Sequence, residues 1–140
     1  MITTKHGSIF DSTAQVLVCP VNCVGVMGAG LAKEFKRRFP EESSQYMALA
    51  RCDGGMSPGS VVTRGNIHFA ATKNHWRNPS RIEWVDDVLH IIAIECPFIP
   101  SIAIPQLGCG CGGLDWADVW PLYEKHLGGM DVDVEVWIHD

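Results

Sequence analysis

Three short stretches of this 140-residue chain carry residues whose types and spacing suit chemistry. Two are dense in glycine: Asn22-Cys-Val-Gly-Val-Met-Gly-Ala-Gly30 and Gln106-Leu-Gly-Cys-Gly-Cys-Gly-Gly113. Glycine lets the backbone turn tightly and lets a ligand approach the main chain. Successive N–H groups in such a turn, beside a helix N-terminus, cradle phosphate. Two loops of this kind can grip a diphosphate from both sides. Glycines also serve tight turns and nothing more, and neither loop matches the G-x-x-x-x-G-K-[ST] or G-x-G-x-x-G fingerprints. The third stretch, Thr72-Lys-Asn-His-Trp-Arg77 with Ser80-Arg81 after it, holds an amine and an imidazole that titrates near neutrality. Its Trp76 and Arg77 are suited to stacking on a nucleobase or holding a phosphate, as single-stranded partners require. By type alone Lys73 is an ordinary loop cation, and His75, Trp76 and Arg77 serve packing equally well.

The six cysteines, Cys19, Cys23, Cys52, Cys96, Cys109 and Cys111, suit neither a disulfide framework nor a zinc site. The N-terminus Met-Ile-Thr-Thr-Lys-His lacks the layout of a secretory signal. Cys19 and Cys23 have a strand between them, and Cys109-x-Cys111 is too tight for a zinc knuckle. Reduced thiols, a cytoplasmic setting, no metal and no cofactor are the expectation.

The elements that position these stretches follow from periodicity. Residues 16–21 form a continuous apolar run, the mark of a strand buried on both faces, and the first glycine loop follows it. Leu31, Phe35 and Phe39 then recur every four residues, giving one apolar helix face that Pro40 ends. A second helix is read over 41–51, and two strands over 60–64 and 66–71 meet at a tight turn on Gly65. Ser80 and Glu83 have the spacing of a capping box before a helical stripe of Ile82, Val85, Leu89, Ile92 and Cys96. A strand over 101–104 leads into the second glycine loop, and Asp115 caps a helix to about Leu127. Val132, Val134, Val136 and Ile138 alternate with polar residues as a half-buried closing strand.

Strands interleaved with helices predict an α/β sheet covered by helices, with ligands held beyond the carboxyl ends of the strands. The chain is 46% apolar and 19% charged, which excludes a disordered adaptor. No apolar run approaches the roughly 18 residues of a membrane span. The length suits one domain, residues 1–140, expected as a monomer. A formal charge of −5 excludes a globally basic nucleic-acid surface. Lys33, Lys36, Arg37 and Arg38 read as a solvated helix face. The cluster of Lys73, His75, Arg77 and Arg81 sits in a loop with a Trp and two Asn.

The first loop as far as Ala32, and the second with Leu114-Asp-Trp116, resemble the two ligand loops of macrodomains, the ADP-ribose-binding α/β/α modules. Within that family the likeness is to the DarG antitoxin branch and the related human terminal ADP-ribose glycohydrolase. Residues 72–77 with Ser80-Arg81 resemble the DarG signature around its catalytic lysine, and the likeness runs in order along nearly the whole chain.

The resemblance implies a three-layer α/β/α fold with a central mixed sheet, and a site for ADP-ribose. It implies that Asn22 binds the distal ribose, with Gly28, Ala29, Gly30 and Leu31 against that sugar. Leu107, Gly108, Cys109, Gly110, Cys111 and Gly112 line the diphosphate, which makes both cysteines small loop residues. Ser8 and Ile9 lie at the adenine. Ser8 stands where many macrodomains carry an Asp, and a neutral hydroxyl is a weaker partner for the adenine amino group than a carboxylate. The human glycohydrolase pairs its lysine with an Asp in the second loop; the matching residue here is Gly112, as in DarG-like sequences.

The implied activity is release of ADP-ribose from a nucleobase in DNA, the strand being single. Such a glycosidic bond breaks through an oxocarbenium-like state, which Lys73 relieves as an amine nucleophile through a Schiff-base-type adduct. His75, Trp76 and Arg77 are the candidate substrate-positioning residues. Processing of ADP-ribose-1″-phosphate, O-acetyl-ADP-ribose or ADP-ribosylated protein, and non-catalytic reading of ADP-ribose, are alternatives that fold likeness does not separate.

Overall fold

The computed structural model describes residues 1–95 and 98–139. Along the chain come β1 (Ile2–His6), a 3₁₀ turn (Ile9–Asp11), β2 (Val16–Asn22), α1 (Gly30–Arg38) and α2 (Pro40–Arg51). Then follow β3 (Val61–Arg64), β4 (Ile67–Lys73), α3 (Ile82–Glu95), β5 (Ser101–Pro105), α4 (Trp116–Leu127) and β6 (Asp133–Ile138). The strands form one sheet in the order β1-β6-β5-β2-β4-β3, with only β3 antiparallel to its neighbour. It is the expected mixed sheet between two helical layers.

The apolar patterns decide the layers. Val16 and Val18 of β2 and Ala70 of β4 pack with Val85, Leu89 and Ile92 of α3 and Val119, Tyr123 and Leu127 of α4. The intervening Cys19, Val21, Phe69 and Ala71 pack on the other face with Phe35 of α1 and Tyr46 of α2. Successive strand side chains point to opposite faces, so a strand buried on both sides feeds two cores. Asp86 of α3 accepts from His126 of α4 at 2.5 Å, which ties the outer helices together. That contact also holds the Asp86 carboxyl below its usual range.

Four details differ from the sequence reading. Residues 2–6 show no alternation, yet they form β1, an edge strand whose Ile2 pairs with Val134. The other four residues of β1 are exposed, so no apolar period marks it. Pro40 does not merely end α1: Phe39 caps α1 and the proline is the first residue of α2, where its missing N–H costs nothing. β4 runs on to Lys73, past the residue 71 read as its end.

Lastly, the Ser80 hydroxyl does not cap α3; it is buried and makes no hydrogen bond. The first-turn bonds of α3 run instead to the Arg81 carbonyl. Asp115 does cap α4, accepting from Ala117 N at 3.0 Å. Cys96, the last residue of the predicted stripe, lies outside the described residues. No helix among the described residues is long and apolar enough to cross a membrane.

Candidate active site

The three central strands β5, β2 and β4 are parallel, so their following loops leave the sheet at the same end. Two of those loops are the glycine-dense segments, and the third carries residues 74–81. A Cβ built on Gly30 would stand 3.7 Å from the Cys111 sulfur, so a single methyl group would bridge the two glycine loops. The loop after β4 joins the first through Cys23 N–H to the Asn74 carbonyl at 3.2 Å, and the second through Ser80 N–H to the Gly112 carbonyl at 2.9 Å.

Donors are left open where an anion would need them. Ala29 offers no side-chain cap to α1, so the first-turn N–H groups of that helix are unsatisfied at the mouth of the loop. In the second loop Leu107 N–H is taken by the Tyr123 hydroxyl at 2.9 Å and Cys109 N–H by the Gln106 carbonyl at 3.2 Å. Leu107 itself is fully buried. Among the described residues, the N–H groups of Gly108, Gly110, Cys111 and Gly112 have no protein partner. Gly112 is also closed to any side chain: a Cβ there would lie 2.3 Å from Ser80 Oγ and 2.5 Å from the Gly108 carbonyl. The Cys109 thiol is pushed up to about 11, first by burial and then by Asp115, which suits a packing residue rather than a nucleophile.

Lys73 is placed by an irregularity. Val21 pairs with Ala71, but a register shift follows and sets Asn22 opposite Lys73 instead of Thr72. Neighbouring strands lie about 4.8 Å apart, so the amine and the amide start from adjacent backbone positions. Lys73 Nζ donates to the Trp76 carbonyl at 3.4 Å and, among the described residues, makes no ion pair. Asn22 is buried; its Oδ1 accepts from Val24 N and Val26 N at 3.1 and 3.2 Å, and its Nδ2 donates to the Val26 carbonyl at 2.9 Å. One amide hydrogen remains for a ligand. Beyond Lys73, His75 and Trp76 stack with centroids 5.4 Å apart, and the Arg77 guanidinium lies 4.7 Å from the Trp76 ring centroid. Arg77 N–H donates to His75 Nδ1 at 3.1 Å, which fixes that ring. Trp76 is exposed, so part of this stacked group reaches solvent.

The Macro domain sequence profile matches residues 18–123. This chain is a macrodomain. A DNA ADP-ribosyl glycohydrolase of Thermus aquaticus is 34% identical over 151 residues, covering all of this chain and 41% of the relative. The macrodomain of Mycobacterium tuberculosis DarG superposes with a TM-score of 0.88 at 35% identity, covering 98% of this chain and 97% of that one. Thermosipho africanus DarTG in complex with ADP-ribose gives a TM-score of 0.85 at 31% identity over 94% of this chain and 40% of the other. The macrodomain is thus closely related to the DarG type. It spans between 36% and 41% of the length of the first curated relatives it matches.

After β1, Ser8 caps the 3₁₀ turn by accepting from Phe10 N at 3.3 Å, and Ile9 is buried in the core shared with Phe35 of α1. Among the described residues no group of His, Cys, Asp or Glu is arranged to hold a metal. Two residues the sequence reading did not single out as functional position the loops. The Tyr46 hydroxyl of α2 donates to the Asn22 carbonyl at 2.6 Å, and the Tyr123 hydroxyl of α4 donates to the Pro105 carbonyl while accepting from Leu107 N. Burial raises the pKa of both phenols, so they stay donors. A buried Tyr hydroxyl must find a partner, which is the one sequence-level signal; which partner it finds is tertiary.

Replacing Tyr46 or Tyr123 by Phe leaves buried carbonyls unpaired. Each variant is expected to lose about 1–3 kcal/mol in urea denaturation. The accompanying loop shift is expected to weaken ADP-ribose binding by about tenfold in calorimetry, equivalent to about 1.4 kcal/mol. An unchanged affinity would show that the hydroxyls hold the fold and not the loops.

Proposed function

We propose that this macrodomain is an ADP-ribosyl glycohydrolase that removes ADP-ribose from modified nucleobases of single-stranded DNA. Its support is the placement of Lys73 beside Asn22, at the end of two loops whose open N–H groups suit a diphosphate. The relatives named as DNA ADP-ribosyl glycohydrolases and the ADP-ribose complex of Thermosipho DarTG point the same way.

ADP-ribose would lie along the crest with its adenine toward Ser8, its phosphates across the glycine loops and its distal ribose at Asn22. The Lys73 amine attacks the anomeric carbon of that ribose and gives up a proton. The glycosidic bond breaks, and the base leaves with its electron pair and takes up a proton. The lysine adduct opens to a Schiff base, and water hydrolyses it to ADP-ribose and the free amine. The closed position at Gly112 excludes a carboxylate at that residue, so Lys73 works without an acidic partner from position 112.

The test is a substrate panel: an ADP-ribosylated single-stranded oligodeoxynucleotide, ADP-ribosylated protein and ADP-ribose-1″-phosphate, with ADP-ribose release followed by chromatography. Release from the oligonucleotide at least about tenfold faster than from the others is expected, about 1.4 kcal/mol of discrimination. Preference for either rival substrate moves the assignment there. Calorimetric binding of ADP-ribose with no turnover of any substrate leaves a non-catalytic reader.

A further inference from the structure

The chain carries −5 overall, but its charge is not evenly spread. Seven of its eleven Lys and Arg, and one of its sixteen Asp and Glu, lie in α1 and residues 72–81. The rest of the molecule holds four cations against fifteen carboxylates. The loop that leads from β2 into α1 and the segment after β4 leave adjacent parallel strands at the same end and are joined by the Cys23–Asn74 hydrogen bond. Tertiary structure therefore brings both basic segments to the mouth of the active site. α1 is about 13 Å long at 1.5 Å per residue, so Lys33 and Lys36 stay close to its mouth.

Five of these cations have no carboxylate partner among the described residues: Lys33, Lys36, Lys73, Arg77 and Arg81. Glu34 spends itself on Arg37 and Arg38. Arg77 and Arg81 each face a tryptophan ring, Trp76 at 4.7 Å and Trp84 at 5.8 Å from the centroid, which leaves their N–H edges free for phosphate. A rim of unpaired cations interleaved with an exposed aromatic platform is the arrangement that binds single strands: phosphates on the cations, bases on the rings.

We propose that this rim is a track for the phosphodiester backbone of a DNA strand, holding the nucleotides that flank the modified base. Resting on the glycohydrolase reading, the track gives the enzyme its choice between a modified strand and a modified mononucleotide. It also reconciles an acidic protein with a polyanionic substrate: outside these two segments the chain holds fifteen carboxylates against four cations.

The experiment measures anisotropy of a labelled, unmodified single-stranded DNA oligomer of about 12 nucleotides at about 25 and about 250 mM NaCl, four phosphate contacts, from Lys33, Lys36, Arg77 and Arg81, predicting roughly a 600-fold loss of affinity over that range. Lys33→Gln with Lys36→Gln is expected to cut that salt-dependent loss to roughly 25-fold. Arg81→Gln alone gives an intermediate loss. Calorimetry with ADP-ribose reports whether the site itself survives in both variants.

Undetectable or salt-insensitive binding by the wild-type chain overturns the track, as does a double variant that binds like wild type. Binding a ribonucleotide 12-mer more than about tenfold tighter than the DNA, an advantage of about 1.4 kcal/mol, overturns the DNA assignment. Salt-sensitive binding lost in the variants, with no ADP-ribose release from any substrate, keeps the track and discards the glycohydrolase reading. Equal, salt-insensitive release from modified oligomer and modified mononucleotide keeps the hydrolase and overturns the track.

Discussion

Lys73→Ala is expected to lower release of ADP-ribose from modified DNA by at least about 10³-fold, the loss typical of removing a group that acts on the reacting atoms. Lys73 is half-buried, and its one hydrogen bond, to the Trp76 carbonyl, is long. Its removal therefore leaves both cores and both glycine loops intact, and stability should stay within about 0.5 kcal/mol of wild type. Affinity for ADP-ribose should persist, since the open donors belong to other residues.

Lys73→Arg separates two roles: it keeps the positive charge and removes the nucleophile. If Lys73 acts through charge, arginine restores a large part of the rate; if it forms the adduct, arginine is as inactive as alanine. Cyanoborohydride added during turnover should then leave the mass of ADP-ribose on the wild-type protein and none on either variant. Full activity of Lys73→Ala would exclude the amine mechanism altogether.

The second large effect is expected at Gly112. A methyl there meets Ser80 Oγ at 2.3 Å and the Gly108 carbonyl at 2.5 Å, and the carbonyl is backbone that cannot swing aside. Gly112→Ala must therefore displace the second loop, costing about 1–3 kcal/mol of stability and weakening ADP-ribose binding by about 10- to 100-fold. Combining it with Ser80→Gly removes only the hydroxyl clash, so the double variant should recover part of the loss. Gly110→Ala is the stability control, since a Cβ at Gly110 has open space around it and needs no positive φ. Denaturation curves for the three variants, with ADP-ribose titrations of Gly112→Ala and the double variant, test this. An affinity for Gly112→Ala equal to wild type would show that the second loop is not a rigid cradle.

At position 112 Ser80 fills the space a side chain would need and donates its backbone N–H to the Gly112 carbonyl. The orphaned Ser80 hydroxyl, read from sequence as a helix cap, is thus part of the floor of the second loop. A cap motif states which side chain has the right spacing, not whether the chain turns early enough to use it.

Local physics made much of the molecule legible in advance. Continuous apolar runs marked β2 and β5, the four-residue spacing of Leu31, Phe35 and Phe39 marked α1, and Asp115 marked the start of α4. Each depends on neighbours within a few residues, as does the glycine density that follows both central strands. Those features, with the Thr72–Arg77 segment, determined the fold class and the three segments of the candidate site.

What required tertiary structure involves partners far apart in the chain. β1 carries no apolar period because only its edge pairs with β6, about 130 residues away. Tyr46 and Tyr123 act on carbonyls 24 and 18 residues distant. The two basic clusters of the sequence meet at one site mouth only when β2 and β4 lie side by side. Most of all, the alignment of Lys73 with Asn22 depends on a one-residue shift between two strands. In a pleated sheet such a shift exchanges the faces, so it decides that Lys73 and not Thr72 stands opposite Asn22. The sequence by itself determined which residues could do the chemistry; strand register, a property of two segments together, decided that they stand at the same place.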